Sequence, residues 1–339
     1  MSASIQLCLY CGIRPRTSDD HIFPEFLGGQ TTIRACKPCN DLFGHAFEGR
    51  VSSDFAPIVV FLRRGGLRSP RLVVWKCAMK KEGVDYDLDS DLQMTPSKPS
   101  IERDETGAVK RGVFAGLQAA KSSIRGLEAQ GKKLTLTPQT IEGIDIRNLE
   151  FKLSIGMEVR RLAIKLAVAA ADHMGFSDEL IDKETREFLL GSTTKSNRVR
   201  FNYTRHPDLD KIRPPLSHFV FVKGNGKTHN AYAIVQFYGL VQFYVLLNEG
   251  AFAHDDFAIA AALDVAKGYR ERFEQTELLM FPVAPVNLGR WQFQQLQSDW
   301  LKKWNAEAQA VLQDDAQIVS LGLTDRVCPY LRPVAMQSG

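Results

Sequence analysis

The chain has 339 residues, of which 44% are hydrophobic and 24% charged, and its formal net charge is +4. These are globular values with room for a sizeable core and about two domains, and they exclude a uniformly basic coat for nucleic acid. The charge is uneven: residues 1–81 carry twelve Lys and Arg against six Asp and Glu, an excess suited to a salt-sensitive contact with a phosphate backbone.

Residues 1–50 are dense in Cys, Gly and turn residues and read as a small module, bounded at 1–55. The runs at 58–62 and 71–75 predict two short strands around the basic turn Arg63-Arg64-Gly65-Gly66. The polar stretch 82–112 predicts a mobile linker or an irregular hairpin, closing a segment 56–112. Helices are expected over 114–130 and 155–174. In the second, Val159, Leu162, Ala163, Leu166, Ala169 and Ala170 recur at helical spacing, Arg160, Arg161 and Lys165 lie off that stripe, and Gly175 closes the helix. A further helix over 178–190 ends at Gly191. Strands follow at 219–222, 231–238 and 241–247, with Gly224-Asn225-Gly226 as a hairpin turn. The sequence VQFY begins at Val235 and again at Val241, which reads as two adjacent strands; their aromatic residues read as sheet core. The spacing predicts last helices over 257–273 and 291–312. Gly224-Asn225-Gly226-Lys227-Thr228 ends like a phosphate-binding loop, but Phe221 stands where such a loop needs glycine. His173, His206, His218, His229 and His254 are scattered and none pairs at ligand spacing. The fold class is α+β, with a body over 113–339 built of antiparallel hairpins and several helices.

Cys8, Cys11, Cys36 and Cys39 form two Cys-x-x-Cys pairs. A two-residue gap lets both thiolates of a pair face one ion, and two such knuckles make the four-thiolate set of a structural Zn2+ site. A segment this short has no core of its own, so the metal would supply much of its folding energy. Cys77 and Cys328 stand alone and read as small buried hydrophobes. Residues 1–6 lack the charged and apolar parts of a leader, and no apolar stretch reaches the roughly 18–20 residues that cross a bilayer. The expectation is a soluble, cytoplasmic protein with no membrane partner and reduced cysteines.

Between the knuckles runs Asp19-Asp20-His21-Ile22-Phe23-Pro24-Glu25-Phe26-Leu27-Gly28-Gly29, and Asn40 follows the last cysteine directly. Over about residues 7–50 the chain resembles the HNH endonuclease family, in particular its four-cysteine members. Those carry an acidic residue and His before Ile-x-Pro and Leu-Gly-Gly, and end in Cys-x-x-Cys-Asn or Cys-x-x-Cys-His. The resemblance implies a ββα-metal module and hydrolysis of phosphodiester bonds, in DNA before RNA. It implies His21 as general base, and Asp20 and Asn40 as oxygen ligands of one Mg2+ or Mn2+. Asp20 and His21 are neighbours at a strand end, so their side chains diverge, one toward the ion and one toward the water. Zinc would fix the helix beginning near Cys39 against that strand and so set the distance from Asn40 to Asp20. His45 and Glu48 follow on the same helix as candidates for a third ligand. Arg14, Arg16, Arg34, Lys37, Arg63 and Arg64 are candidate phosphate contacts.

One element of the family pattern is missing. Its middle Asn has no counterpart in Gln30-Thr31-Thr32-Ile33-Arg34-Ala35, where Gln30 or Thr32 is left to hold the loop. Two other functional readings therefore stand beside the nuclease: a zinc module that only docks nucleic acid, and an effector nuclease gated by a ligand sensed in the body. The body would supply recognition, sensing or homodimerisation, in a defence or mobile-element setting.

Overall fold

The computed structural model describes residues 6–129, 148–276, 290–312 and 317–324, except positions 92, 108, 177, 178, 195, 196, 204 and 205. Strands β1 (Ser18–His21) and β2 (Thr32–Ala35) form an antiparallel hairpin with Asp20 opposite Ile33 and His21 opposite Thr32. Helix α1 (Lys37–Phe43) starts from Cys36, with Pro38 in its first turn, where a missing N–H is harmless. It runs on through a π-helical turn (Gly44–Glu48) into α2 (Gly49–Asp54) and then α3 (Ala56–Arg64). The strand expected at 58–62 is thus helix. Pro57 opens it, and every residue from Ala56 to Leu62 is buried, so the apolar run has no strand alternation to reveal.

Next come β3 (Val74–Lys81), β4 (Val84–Asp89), β5 (Met94–Pro96), β6 (Ser100–Arg103) and β7 (Val109–Val113), in a three-stranded sheet β3-β4-β5 and a pair β6-β7. The stretch 82–112 is therefore two hairpins and not a linker. Its polar residues satisfy one another: buried Asp87 accepts from Lys76 Nζ at 2.5 Å, from the Cys77 amide at 2.9 Å and from Ser97 Oγ. Cys77, expected inside, is exposed. It sits where the β3–β4 register slips, which turns its side chain away from the core. Cys328 lies outside the described residues.

The body follows as α4 (Leu117–Glu128), β8 (Asn148–Ser154), α5 (Met157–His173), α6 (Lys183–Leu189), β9 (Val199–Phe201), α7 (Pro207–Ile212), β10 (His218–Asn225), β11 (Asn230–Phe237), β12 (Val241–Asn248), β13 (Phe257–Asp264), β14 (Arg270–Gln275), α8 (Arg290–Val311) and β15 (Gln317–Thr324). Six strands make an antiparallel sheet in the order β14-β13-β10-β11-β12-β9, and β15 pairs in parallel with β8. The two VQFY copies lie on the adjacent strands β11 and β12. The helix expected over 257–273 is instead the β13–β14 hairpin. Phe257, Ile259, Ala261 and Leu263 join the main core on one face of β13, while Ala258, Ala260 and Ala262 join a smaller core on the other. A strand buried on both faces reads as an unbroken apolar run, which periodicity alone does not separate from a helix.

Helix α5 positions the site. It lies across the sheet, packed on β10, β11 and β12, and its other side meets β2, the π turn and α2. Nearly all of it is buried, Lys165 included. One continuous core consequently joins the four cysteines, α3, α5 and the inner sheet face. The arrangement is α+β. Among the described residues, no helix is long and apolar enough to cross a membrane.

Candidate functional site

The first knuckle is a tight turn. The Gly12 amide donates to the Cys8 carbonyl at 2.7 Å, and Gly12 adopts φ +69°, a left-handed conformation that favours glycine. The second knuckle is the start of α1, where the amides of Cys39 and Asn40 both donate to the Cys36 carbonyl at 3.1 Å. All four cysteines are buried and free, and their sulphurs lie within 4.8 Å of one another, with Cys11 and Cys36 at 3.8 Å. A tetrahedral zinc with bonds of about 2.3 Å places its sulphurs roughly 3.8 Å apart, so this donor set fits the ion. The Cys39 thiol hydrogen-bonds Cys8 and holds its pKa down at about 4; that same bond, with burial, pushes Cys39 up.

Arg186 of α6 backs this cluster. Its Nη1 donates to the Tyr10 carbonyl at 2.7 Å and stands 3.1 Å from where a Cβ on Gly12 would be. Burial lowers its pKa, while the nearby cysteine thiolates favour its charge. A four-thiolate zinc would carry two net negative charges, and this guanidinium would offset part of them.

The knuckles hold α1 against β1. Asn40 Nδ2 donates to the Asp19 carbonyl at 2.7 Å and to Ser18 Oγ at 3.0 Å, fastening the helix to the strand. Strand alternation then gives β1 two unlike faces. The outer face carries exposed Asp19 and half-buried His21, opposite exposed Arg34 and Thr32, and Arg34 pairs with Asp19 at 2.9 Å. Among the described residues, nothing hydrogen-bonds the His21 ring, which leaves both nitrogens for a water or a ligand.

Asp20 faces the opposite way and is 3% exposed. Tyr10 donates its hydroxyl to Asp20 Oδ2 at 2.7 Å, and Lys165 donates Nζ to Oδ1 at 2.7 Å. Burial and the Asp20 charge hold the Tyr10 pKa well above its ordinary value, so the phenol keeps its proton and remains a donor. The Lys165 ammonium also reaches Glu48 Oε1 at 2.6 Å and lies 5.8 Å over the Phe43 ring. Two residues expected around a divalent ion, Asp20 and Glu48, therefore converge, but on an ammonium from α5. In this arrangement they do not fit Mg2+ or Mn2+, because Nζ fills the space between their oxygens. Asn40 is engaged with β1, and His45 is exposed on the π turn.

The basic candidates divide. Arg14 is exposed. Arg16 makes a two-bonded ion pair with Asp172 at the end of α5, both contacts at 2.8 Å, and also donates to the Leu7 carbonyl. Lys37 pairs with Asp41 within α1, and Arg63 donates to the Ser90 carbonyl and lies 3.6 Å from Asp91. Arg64 is half-buried.

Sequence reasoning missed Tyr10, Lys165, Arg186 and Glu271. Glu271 of β14 reaches the stretch that lacks the Asn: its carboxylate accepts from the amides of Gln30 and Thr31 at 3.1 and 2.8 Å, and from the Thr31 hydroxyl. The loop between β1 and β2 is thereby held from the body, through Gln30 and Thr31. Lys165 had a signal. Ile164 to Ala171 is apolar apart from that lysine, and a helix apolar all round is buried, so its one ammonium needs an anion.

No curated protein matches the chain, and no solved structure does. The family model described as HNH endonuclease matches residues 8–56, the four-cysteine segment with its β1–β2 hairpin and α1, so this segment is similar to that family's nuclease module.

Proposed function

We propose that this chain is an endonuclease that hydrolyses phosphodiester bonds, with DNA as its substrate before RNA and His21 as the general base. The observation that carries this reading is the open outer face of β1. There His21 stands unpaired beside exposed polar and basic groups, on a hairpin that the cysteine cluster fastens to α1. An imidazole so placed is suited to take a proton from an attacking water at neutral pH. Arg34 and Arg14 lie exposed within the same module and suit the approach of a phosphate backbone. The assignment of Mg2+ or Mn2+ to Asp20 and Asn40 rests on the resemblance of the motif. In this structure Lys165 lies against Asp20.

The test is plasmid cleavage by zinc-loaded protein with Mg2+ or Mn2+, beside His21→Ala, with matched DNA and RNA substrates. Loss of a positioned base lowers the rate by about 100-fold or more, while bound zinc stays unchanged. Cleavage above background that is equal in wild type and His21→Ala would remove His21 from the reaction.

A further inference from the structure

We propose that Lys165 is a lock on the nuclease centre: its ammonium holds the cation position between Asp20 and Glu48 and keeps a divalent ion from Asp20. The inference rests on the nuclease reading only in taking Asp20 as an ion ligand.

The geometry is that of a cation site already filled. Nζ lies 2.7 Å from Asp20 Oδ1 and 2.6 Å from Glu48 Oε1. Magnesium binds oxygen at about 2.1 Å, so an ion between these two carboxylates and the ammonium would occupy the same space. The lysine is not a mobile surface group that swings aside: its side chain is 1% exposed, and that of Asp20 is 4%. Tyr10 holds the other Asp20 oxygen, so both are engaged.

The lysine also belongs to a face of α5 that is turned to the module. Lys165 and Asp172 are seven residues apart, two helical turns, and so lie on one side of the helix. Lys165 grips Asp20 and Glu48, and Asp172 grips Arg16. The opposite side of α5 packs on β10, β11 and β12.

The test reads Mn2+ binding to the full zinc-loaded chain by electron paramagnetic resonance, with melting temperature alongside. Four proteins are compared: wild type, Asp20→Asn, Lys165→Met, and Lys165→Met with Asp20→Asn. Methionine keeps the length and apolar stem and removes the charge. The lock predicts that Lys165→Met binds Mn2+ about tenfold more tightly or better, that Asp20→Asn abolishes this gain, and that Mn2+ raises the melting temperature of Lys165→Met but not of wild type. A lysine with a purely structural role would lower stability and create no Mn2+ site, so folded, zinc-loaded Lys165→Met without the gain overturns the proposal. Should Lys165→Met fail to fold, wild type beside Asp20→Asn decides. An Asp20-dependent Mn2+ site in wild type overturns the lock, and equal weak binding by both supports it. Cleavage is scored separately: Lys165→Met that gains Mn2+ yet cuts no nucleic acid counts against the nuclease reading and leaves the lock standing.

Discussion

His218 begins β10, is fully buried against Tyr238 and Phe237, and among the described residues neither ring nitrogen has a hydrogen-bond partner. Burial alone pushes its pKa down to about 3. The folded chain therefore keeps this imidazole neutral, while the unfolded chain protonates it below about 6.5. Its contribution to stability is whole above pH 6.5 and is lost as the pH falls toward 3. Between pH 6.5 and 5 the loss through this group is about 2 kcal/mol. Urea unfolding at a series of pH values, with zinc in excess, should show that slope in wild type and a flatter one in His218→Leu; parallel slopes would mean that the histidine already has a partner. Nothing in the sequence marked this residue, because burial without a partner is a property of the assembled sheet. Cys8, Cys11, Cys36, Cys39 and the Asp20-His21 pair were legible because their meaning lies in local spacing. Arg14 and Arg16 looked alike for the same reason, yet only the surroundings make one exposed and the other the partner of Asp172.

At the scale of elements, the Gly28-Gly29 pair is visible in the sequence as part of a motif, and the structure gives each glycine a separate reason. Gly28 takes φ +98°, and a Cβ there would lie 2.3 Å from the Tyr269 ring. At Gly29 a Cβ would meet the Phe23 carbonyl oxygen at 1.8 Å, and backbone cannot step aside as a side chain can. Gly29→Ala should therefore cost about 3 kcal/mol or more. Gly44 is the internal control: it is helical, with φ −58°, and a Cβ there meets open space. Gly44→Ala should stabilise by about 0.5–1 kcal/mol. Thermal melts of the two variants should move in opposite directions, and a tolerated Gly29→Ala would show that this turn is packed otherwise. The elements that sequence reasoning misread share one cause. Helix α3 and strand β13 are buried on all sides, so neither shows the half-polar period that betrays a surface helix or strand. Over 82–112 the hairpin alternative held and the linker alternative did not, since order there comes partly from Asp87 and Asp89 bonding neighbours rather than from an apolar face.

At the scale of the molecule, the module and the body are cross-braced at several points. Arg16 meets Asp172, Lys165 meets Asp20, Arg186 meets the first knuckle, and Glu271 meets the β1–β2 loop. With a continuous core beneath them, these ties should make unfolding cooperative across both parts. Removing zinc with a chelator should lower the single calorimetric transition of the whole chain. A body transition that stays in place while a small separate one disappears would show two independent units. The division of the sequence at residue 55 rested on motif density, and motif density does not report packing between distant segments. Those distances bear on how the protein is made. The partners lie 145 residues apart for Asp20 and Lys165, 176 for Tyr10 and Arg186, and 240 for Thr31 and Glu271. A ribosome adds about 5–20 residues each second, so the cysteine knuckles wait on the order of ten to fifty seconds for the last of these ties. For about the first half of that interval the newborn segment has its cysteines and His21 but neither Lys165 nor Glu271, and early zinc capture would be the first means it has of holding a shape before the rest of the chain arrives.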